Sequence, residues 1–477
     1  MSHEPKTESA ELQPGAKSAE SDLSRRRFPK ISSDEAWVPG LIEVVFRDPT
    51  QSGVQDWYFP DEKERKEFSE AWPPLLRRTL EINHLQSWRP SFPLTYPWTK
   101  ISIEKARENY RAEERDKFVT LRFPDDAKTR RIAAELRDLP ELEQAVAVPR
   151  IRPPSGPLDE PFMGNSDQPI DICDQNVCVQ SQWYIFRCNV DRAWQKKNGS
   201  NQDLSGKGVV IADIDWGFHT GHQDLSFRIT NTQNILLNSL DRFSVNNGNR
   251  LDHGTAVLGL AGAEVNGLGI AGVAYGADLW AIQAGIDNIE DHDKFFGGIK
   301  FVVDEMTTAR KVIILEVETE SGGNIEMVPT INHEIKLAIA ANIVVCVPAG
   351  DGIRDAAIGD DNSPIPITCS ILVGATKFDA HANIRGISNF GCRVVVYAPG
   401  DFDFDVTCEA TDDGYRPGFG GTSSAVAKVA GVVALMLEKN PALTHEQVRD
   451  ILGQSKIPVL EGGQQIGVLL DAEQAVV

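Results

Sequence analysis

The sequence predicts an α/β protein in which a parallel sheet has helices on both faces, preceded by a small α+β domain. Helix-like segments at 295–306 and 331–341 alternate with short apolar runs in the second half of the chain. Such runs are typical of strands buried on both faces. They begin at Val209, Leu279, Val312, Ile343 and Ile371. The order strand, helix, strand predicts a parallel sheet covered by helices.

The part of the chain before this sheet is predicted to contain three regions. Residues 1–30 are rich in Ser, Glu, Lys and Pro, which predicts a disordered tail. Residues 31–150 are predicted to be the small α+β domain, and 151–182 are predicted to be a linker because they contain Pro, Gly and polar residues with weak periodicity. The sheet domain then covers 183–477. Within the small domain we predict strands at 41–46, 118–123 and 144–148 and helices at 73–85 and 125–138.

The charge of the chain excludes several kinds of partner. The formal net charge is -21, whereas a nucleic-acid-binding protein needs a basic face to meet phosphates. The same charge disfavours binding to anionic membranes. The N-terminus lacks the apolar region of a signal peptide, and no stretch of about 18 apolar residues occurs. We therefore predict no nucleic-acid or membrane partner, and a cytoplasmic location or export without a classical signal peptide.

The seven cysteines are an odd number, and most are single and lie inside apolar runs. This pattern predicts buried, reduced thiols. Cys173 and Cys178 are close enough in sequence for a local disulfide, which remains an alternative for that pair. No second pair with zinc spacing follows them. A glycine-rich segment at 267–272 follows a helix-like region rather than a strand, so it does not indicate a nucleotide site. We predict no metal and no cofactor.

Three polar residues stand at glycine-bearing boundaries of the predicted sheet. Asp215 ends a strand, where α/β active sites form. His253 opens a helical run, and Ser423 precedes another helix, whose N-terminal N–H groups favour a developing oxyanion. Each motif alone is weak, because a Ser before a helix is commonly an N-cap. Together they have the order Asp, His, Ser that subtilisin has.

The chain resembles the subtilisin family of serine peptidases over about residues 182–455. The matching segments occur in the family's order: 214–218, 222–225, 253–259, 269–277, 349–352, 389–391, 398–400 and 421–425. The resemblance implies that Asp215, His253 and Ser423 form a catalytic triad, with Ser423 as the nucleophile and its backbone N–H as an oxyanion donor. It also implies a serine endopeptidase that cleaves protein or peptide substrates through an acyl-enzyme. Residues 31–150 are similar in position to the family's inhibitory prodomain, so the protein's own N-terminal domain is a candidate inhibitor.

The sequence departs from the family pattern at positions that bear on catalysis. Asp351 stands where the family has its oxyanion asparagine, and Ala427 replaces the proline after the nucleophile. Glu316 and Glu318 lie on the segment that the family uses as its substrate strand. We expect them to share one face of a strand and to favour Arg or Lys in the substrate. The alternative is a solvated edge or a network with Asp351.

Other interpretations remain open at this stage. Asp213 lies two residues before Asp215 and projects from the same side of the strand, so it is a rival for the triad acid or a supporting acid. The departure at Asp351 also fits an inactive subtilisin fold that binds a partner without cleaving it. An α/β-hydrolase esterase is disfavoured, because that class needs a Gly-x-Ser-x-Gly elbow and the order Ser, acid, His.

Overall fold

The fold is that of a computed structural model of the protein. The structure describes residues 37–52, 69, 71–90, 117–124, 127–149, 151–152, 171–174, 177–180, 182–235, 251–266, 269–285, 292–305, 307, 309–379, 384–402 and 405–476. The predicted disordered tail, residues 1–30, lies outside these ranges.

Among its described residues, the N-terminal domain consists of a four-stranded antiparallel sheet and two α-helices. The strand order is β2-β3-β1-β4, and the elements are β1 Trp37–Phe46, α1 Pro74–Ile82, β2 Ser87–Pro90, β3 Phe118–Arg122, α2 Thr129–Arg137 and β4 Leu142–Pro149. The helices bury one apolar side each, which includes Leu80 on α1 and Leu136 on α2. The three predicted strands are present as β1, β3 and β4. The fourth strand, β2, was missed because it has four residues and ends in a proline, a residue that weakens any strand signal.

The described residues of the predicted linker include short strands. They are β5 Ile151–Arg152, β6 Asp171–Asp174 and β7 Val177–Gln180. The strands β6 and β7 pair as a hairpin, whose register places Cys173 opposite Cys178. A disulfide between these two residues stays a prediction.

The second domain is built on a wide, mainly parallel sheet. Its elements follow in chain order: α3 Trp183–Arg187, α4 Val190–Trp194, β8 Val209–Asp215, β9 Ile229–Asn234, α5 Leu251–Gly262, β10 Asp278–Gln283, α6 His292–Asp304, β11 Arg310–Leu315, β12 Glu318–Thr319, α7 Pro329–Ala340, β13 Val344–Pro348, β14 Ile371–Lys377, β15 Ile384–Arg385, β16 Val396–Pro399, β17 Thr407–Cys408, β18 Tyr415–Arg416, α8 Gly421–Lys439, α9 His445–Gly453, β19 Pro458–Glu461, β20 Gln464–Val468 and α10 Ala472–Ala475.

Parallel pairing joins the strands in the order β9-β10-β8-β11-β13-β14-β16. This confirms the predicted fold class. Short strands at one edge, β15, β19 and β20, extend the sheet and include antiparallel pairs.

Helices cover the two faces of this sheet in pairs. One face of β8, which includes Ile214, packs in the same core as α6 and α7. The opposite face, which includes Ile211, packs in the same core as α5 and α8. The length and apolar composition of α8 would also suit a membrane span, but this helix lies buried inside the domain. Because Asp213 and Asp215 alternate with Ile214, both project toward α5 and α8.

The N-terminal domain packs on the face that carries α6 and α7. Glu43 of β1 is fully buried, and its Oε2 accepts hydrogen bonds from the backbone N–H and the hydroxyl of Thr330, both 3.1 Å long. Thr330 lies in the first turn of α7, where a helix has free N–H groups and favours negative charge. Further contacts across the interface join Phe118 with His333 and Arg137 with Asp361. A buried carboxylate on a helix N-terminus therefore ties the two domains together.

We expect Glu43→Ala to weaken the attachment of the N-terminal domain by about 1.5–3 kcal/mol, because it leaves buried donors of Thr330 without a charged acceptor. Urea unfolding of the full chain would measure the loss as a change in the free energy of unfolding. Glu143→Ala is the matched control, since Glu143 is exposed on the same domain. Its effect should stay within about 0.5 kcal/mol. Equal losses in both variants would contradict the role of Glu43.

Candidate active site

Asp215 lies at the carboxyl end of the central strand β8 and is fully buried. Its carboxylate accepts a hydrogen bond from the backbone N–H of Trp216 and faces Nδ1 of His253 at 2.8 and 2.9 Å. The carboxyl edge of a parallel sheet is where loops and helix N-termini converge. Asp215 is thus in position to orient the imidazole of His253.

His253 lies in the first turn of α5, and its Nε2 is 3.2 Å from Oγ of Ser423. The residue after His253 is Gly254, and the close packing around it requires a glycine. A Cβ on Gly254 would stand 2.6 Å from the carbonyl oxygen of Gly217 and 2.5 Å from the ring of Phe218. Only glycine lets α5 approach the end of β8 closely enough for His253 to reach Asp215.

Ser423 is the third residue of the buried helix α8. The backbone N–H groups of a first helical turn have no partner inside the helix, and they mark its positive end. Gly421 begins α8 with φ +71°, in the left-handed region that favours glycine. A Cβ there would also lie 2.3 Å from Oδ2 of Asp351, so glycine is needed for this carboxyl to approach the helix.

The structure therefore brings Asp215, His253 and Ser423 into one continuous hydrogen-bonded chain. Asp213, the rival for the acid, does not bind His253. Both of its carboxylate oxygens are buried without a hydrogen-bonding partner among the described residues. The geometry favours Asp215 over Asp213 as the residue that faces the histidine.

Asp351 faces the N-terminus of α8. Its Oδ1 accepts a 3.1 Å hydrogen bond from the backbone N–H of Thr422, the residue before Ser423. The backbone N–H of Asp351 donates in turn to Oε2 of Glu318, at 2.8 Å. Glu318 is thus bound to the loop of Asp351. This contact fits the alternative named above, in which the glutamates form a network with Asp351 instead of a pocket for Arg or Lys.

The expectation that Glu316 and Glu318 share one face of a single strand was wrong. Strand β11 ends at Leu315, and the separate strand β12 begins at Glu318. The break arises because Val317 N–H turns back to donate to the carbonyl of Leu315. Glu318 nevertheless remains on the segment with which another strand pairs, since β12 is antiparallel to β5.

Glu316 is fully buried, and its carboxyl oxygens lack a hydrogen-bonding partner within the described residues. Burial raises the pKa of Glu316 well above its usual range, and the negative charges of Asp215 and Asp351 add to this shift. The adjacent hydroxyl of Ser423 acts in the opposite direction. A carboxyl in this environment stays neutral to higher pH than an exposed one.

Sequence reasoning missed Lys428, which is buried on α8 one turn after Ser424. Its Nζ donates to Oδ2 of Asp405 at 2.7 Å, to Oγ of Ser424 at 2.6 Å and to the carbonyl of Pro399 at 2.9 Å. Burial lowers the pKa of Lys428, and the charge of Asp405 opposes that shift. A charged residue inside the apolar run 425–437 was the signal that could have identified this network.

One group of side chains has the composition of a metal site. His222, Asp224 and Cys408 are buried, with ligand atoms within 4.8 Å of one another. However, Nδ1 of His222 accepts from the N–H of Asp224, and Nε2 faces the carbonyl of Gly414. Asp224 also accepts a 2.7 Å hydrogen bond from the hydroxyl of Tyr415. These donor atoms already serve in a hydrogen-bond network that holds the loops together.

A parallel sheet with Asp, His and Ser in this order defines the class of subtilisin-type serine peptidases. The model of the subtilase family matches residues 206–467. The chain belongs to the subtilase family.

Relatives in this family resemble part of the chain. An intracellular serine protease of Paenibacillus polymyxa is 32% identical over 236 residues, which cover 48% of this chain and 67% of that protein. Subtilisin NAT of Bacillus subtilis subsp. natto is 28% identical over 256 residues, which cover 53% of this chain and 61% of the relative.

Solved structures show the same fold. The crystal structure of fervidolysin from Fervidobacterium pennivorans, a keratinolytic enzyme related to subtilisin, has a TM-score of 0.55 and 16% identity. It covers 92% of this chain, and the match spans 61% of fervidolysin. A protease of Pseudoalteromonas arctica has a TM-score of 0.50 at 24% identity and covers 62% of this chain.

Proposed function

We propose that this protein is a serine endopeptidase in which Ser423 attacks the carbonyl carbon of a peptide bond. The observation that carries the proposal is the hydrogen-bonded chain from Asp215 through His253 to Ser423. His253 Nε2 would take the proton of Ser423 and later give it to the leaving amine, while Asp215 stabilises the imidazolium. Water would then hydrolyse the acyl-enzyme. The named activity of the Paenibacillus relative supports this function, and its intracellular designation supports a cytoplasmic location.

The oxyanion would form beside the N-terminus of α8. Ser423 N–H would be one donor, and we propose Asp351 as the side chain that completes the site. A carboxyl group donates a hydrogen bond only when it is protonated. With Oδ1 bound to Thr422 N–H, a proton on the other oxygen of Asp351 would serve the oxyanion. An ionised Asp351 would instead repel it.

A peptide substrate would add to the segment that begins with Glu318. In the structure β5 already pairs with β12 in antiparallel fashion, with Arg152 opposite Glu318. Main-chain pairing of this kind is a common way to bind an extended peptide. We therefore propose Glu316 and Glu318 as residues of the substrate-binding region, next to Ser423 and to the Asp351 loop.

The pairing of β5 with β12 also supports inhibition by the protein's own N-terminal domain. β5 directly follows that domain, and it occupies the strand edge that a substrate would use. The domain itself is fixed to the face of α7 through Glu43. We propose that the attached domain blocks the site until the connection between the domains is cut.

A second candidate function is a protein-binding module that does not cleave its partner. The observation that favours it is Asp351, because this position has a carboxyl instead of an amide. The two functions differ in whether Ser423 is chemically activated.

We expect a fluorophosphonate probe to label the protein, and Ser423→Ala and His253→Ala to remove both labelling and proteolysis by several orders of magnitude. Mass spectrometry of the labelled peptide would identify the serine. Ser226→Ala is the control, since this serine of the same domain is exposed. A wild type that stays unlabelled after its N-terminal domain has been cut off and removed would favour the binding module.

We expect Asp351→Ala to lower kcat by about 100-fold, the effect of removing one oxyanion donor in a related site. Asp351→Asn should keep at least the wild-type kcat at neutral pH, because an amide N–H donates without needing a proton. Steady-state kinetics on a peptide substrate would measure both. Identical kcat values for the wild type and Asp351→Ala would show that this side chain does not serve the oxyanion.

We expect the wild-type chain to cut itself within residues 151–182 on incubation, whereas Ser423→Ala stays intact. N-terminal sequencing of the fragments would locate the cut. The released N-terminal domain, added back, should inhibit the peptidase. A wild type that is fully active while uncut would rule out the proposed inhibition.

A further inference from the structure

Two acids besides Asp215 project into the catalytic side of the sheet. Asp213 lies on β8, two residues before Asp215, and is in register with Ile314 of β11. Glu316 follows β11, and its backbone N–H donates to the carbonyl of Ile214 at 3.1 Å. Asp213 and Asp215 share a face of β8 because they are two residues apart. Glu316 lies near Asp215 and near the hydroxyl of Ser423 on α8, so the three acids form a row beneath α5 and α8.

Asp213 and Glu316 are both 0% exposed, and no carboxyl oxygen of either has a hydrogen-bonding partner among the described residues. An isolated charge buried in this way is strongly unfavourable. Asp215 differs, because Trp216 N–H and His253 bind its carboxylate. Within this row, hydrogen bonds therefore stabilise the anionic form of Asp215 but not that of Asp213 or Glu316.

The groups that surround this row do not neutralise it. Helix α5 presents His253, which binds Asp215, and α8 presents Ser423. The cation of α8, Lys428, binds Asp405 instead. The loop after β13 presents Asp351 and β12 presents Glu318, which are further acids. On the same face, β13 contributes the neutral thiol of Cys346.

Burial raises the pKa of Asp213 well above its usual range, and the charges of Asp215 and Glu316 add to this effect. Burial also raises the pKa of Glu316, the charges of Asp215, Asp351 and Glu318 add to that shift, and the hydroxyl of Ser423 opposes it. Like charges on neighbouring carboxyls oppose ionisation of both.

We propose that Asp213 and Glu316 form a protonated acid pair that controls the charge of the active site, and that the peptidase works only while both are neutral. This inference rests on the proposed function. With the pair neutral, Asp215 is the one anion of the row facing His253. Once Glu316 ionises, its carboxylate accepts the hydrogen bond of the Ser423 hydroxyl and draws that proton away from His253 Nε2. The added charge also repels the developing oxyanion.

The alkaline limit of activity is thereby assigned to the pair, and it is measured in an Asp351→Asn background, where the proposed oxyanion donor does not titrate. In this background kcat/KM should fall by at least about tenfold per pH unit once the pair ionises. Adding Glu316→Gln, or Asp213→Asn with Glu316→Gln, should extend the plateau by at least about one pH unit, whatever the height of that plateau, and should leave the acid limb unchanged. Asp278→Asn in the same background is the matched control, because this half-exposed acid lies at the opposite end of the same sheet. Its profile should coincide with that of Asp351→Asn alone.

A second readout does not depend on activity. Infrared spectroscopy of Ser423→Ala/Asp351→Asn, which cannot digest itself and lacks the other carboxyl proposed to be protonated, should show the carbonyl band of buried protonated carboxyls at neutral pH. The band should disappear on alkaline titration. It should be absent at every pH when the substitutions Asp213→Asn and Glu316→Gln are made in the same chain. No such band at neutral pH would overturn the proposal.

Peptide-library profiling distinguishes the pair from a pocket for cations. A neutral Glu316 gives no preference for Arg or Lys, whereas an ionised Glu316 would attract them. A strong Arg or Lys preference that Glu316→Gln abolishes would therefore overturn the acid pair. Parallel pH profiles for Asp351→Asn with and without Glu316→Gln would overturn it as well. A chain that shows the infrared band but no proteolysis at any pH would overturn the proposed function, and the pH control with it.

Discussion

Burial of charge at the carboxyl edge of the parallel sheet is the constraint on which the rest of the structure depends. Both helices that carry the candidate catalytic groups begin there, so the edge is enclosed. Asp215 is stabilised by Trp216 N–H and His253, and Lys428 by Asp405, Ser424 and Pro399. The hydrogen bonds of Lys428 join the segment before α8 to the helix itself, and so hold Ser423 in place. Without such partners, a buried charge costs several kcal/mol.

Close packing of small residues sets the distances within the site. A Cβ on Gly431 of α8 would lie 2.6 Å from Val273 and 3.1 Å from the carbonyl of Ala261 on α5. Gly254 meets the end of β8 in the same way. These close contacts bring α5 near both α8 and the strand. Since catalysis depends steeply on reacting distances, Gly254 and Gly431 help to set the contact between His253 and Ser423 although neither takes part in the chemistry.

Local patterns predicted the elements better than the contacts between them. Apolar runs such as 312–315 predicted buried strands, and the order of three glycine-bearing motifs predicted which side chains meet. The break after Leu315 was missed, because a strand end made by a main-chain turn leaves no mark in composition. The partnership of Lys428 with Asp405 was missed because loop and helix meet only in the fold. The position of Glu316 beside Asp215 depends on the register of β8 and β11, which pairing in three dimensions decides.

The two-residue strand β5 has a consequence for how the proposed inhibition would end. While β5 and the N-terminal domain belong to the same chain as β12, their binding is unimolecular and does not depend on how much protein is present. A tethered segment of this kind meets its site at an effective concentration on the order of millimolar. A single cut turns the same contact into an ordinary bimolecular equilibrium, which weakens on dilution. Inhibition would then depend on whether the two domains are still covalently joined. After the cut, the enzyme would lose its inhibitory domain most readily where the protein is most dilute.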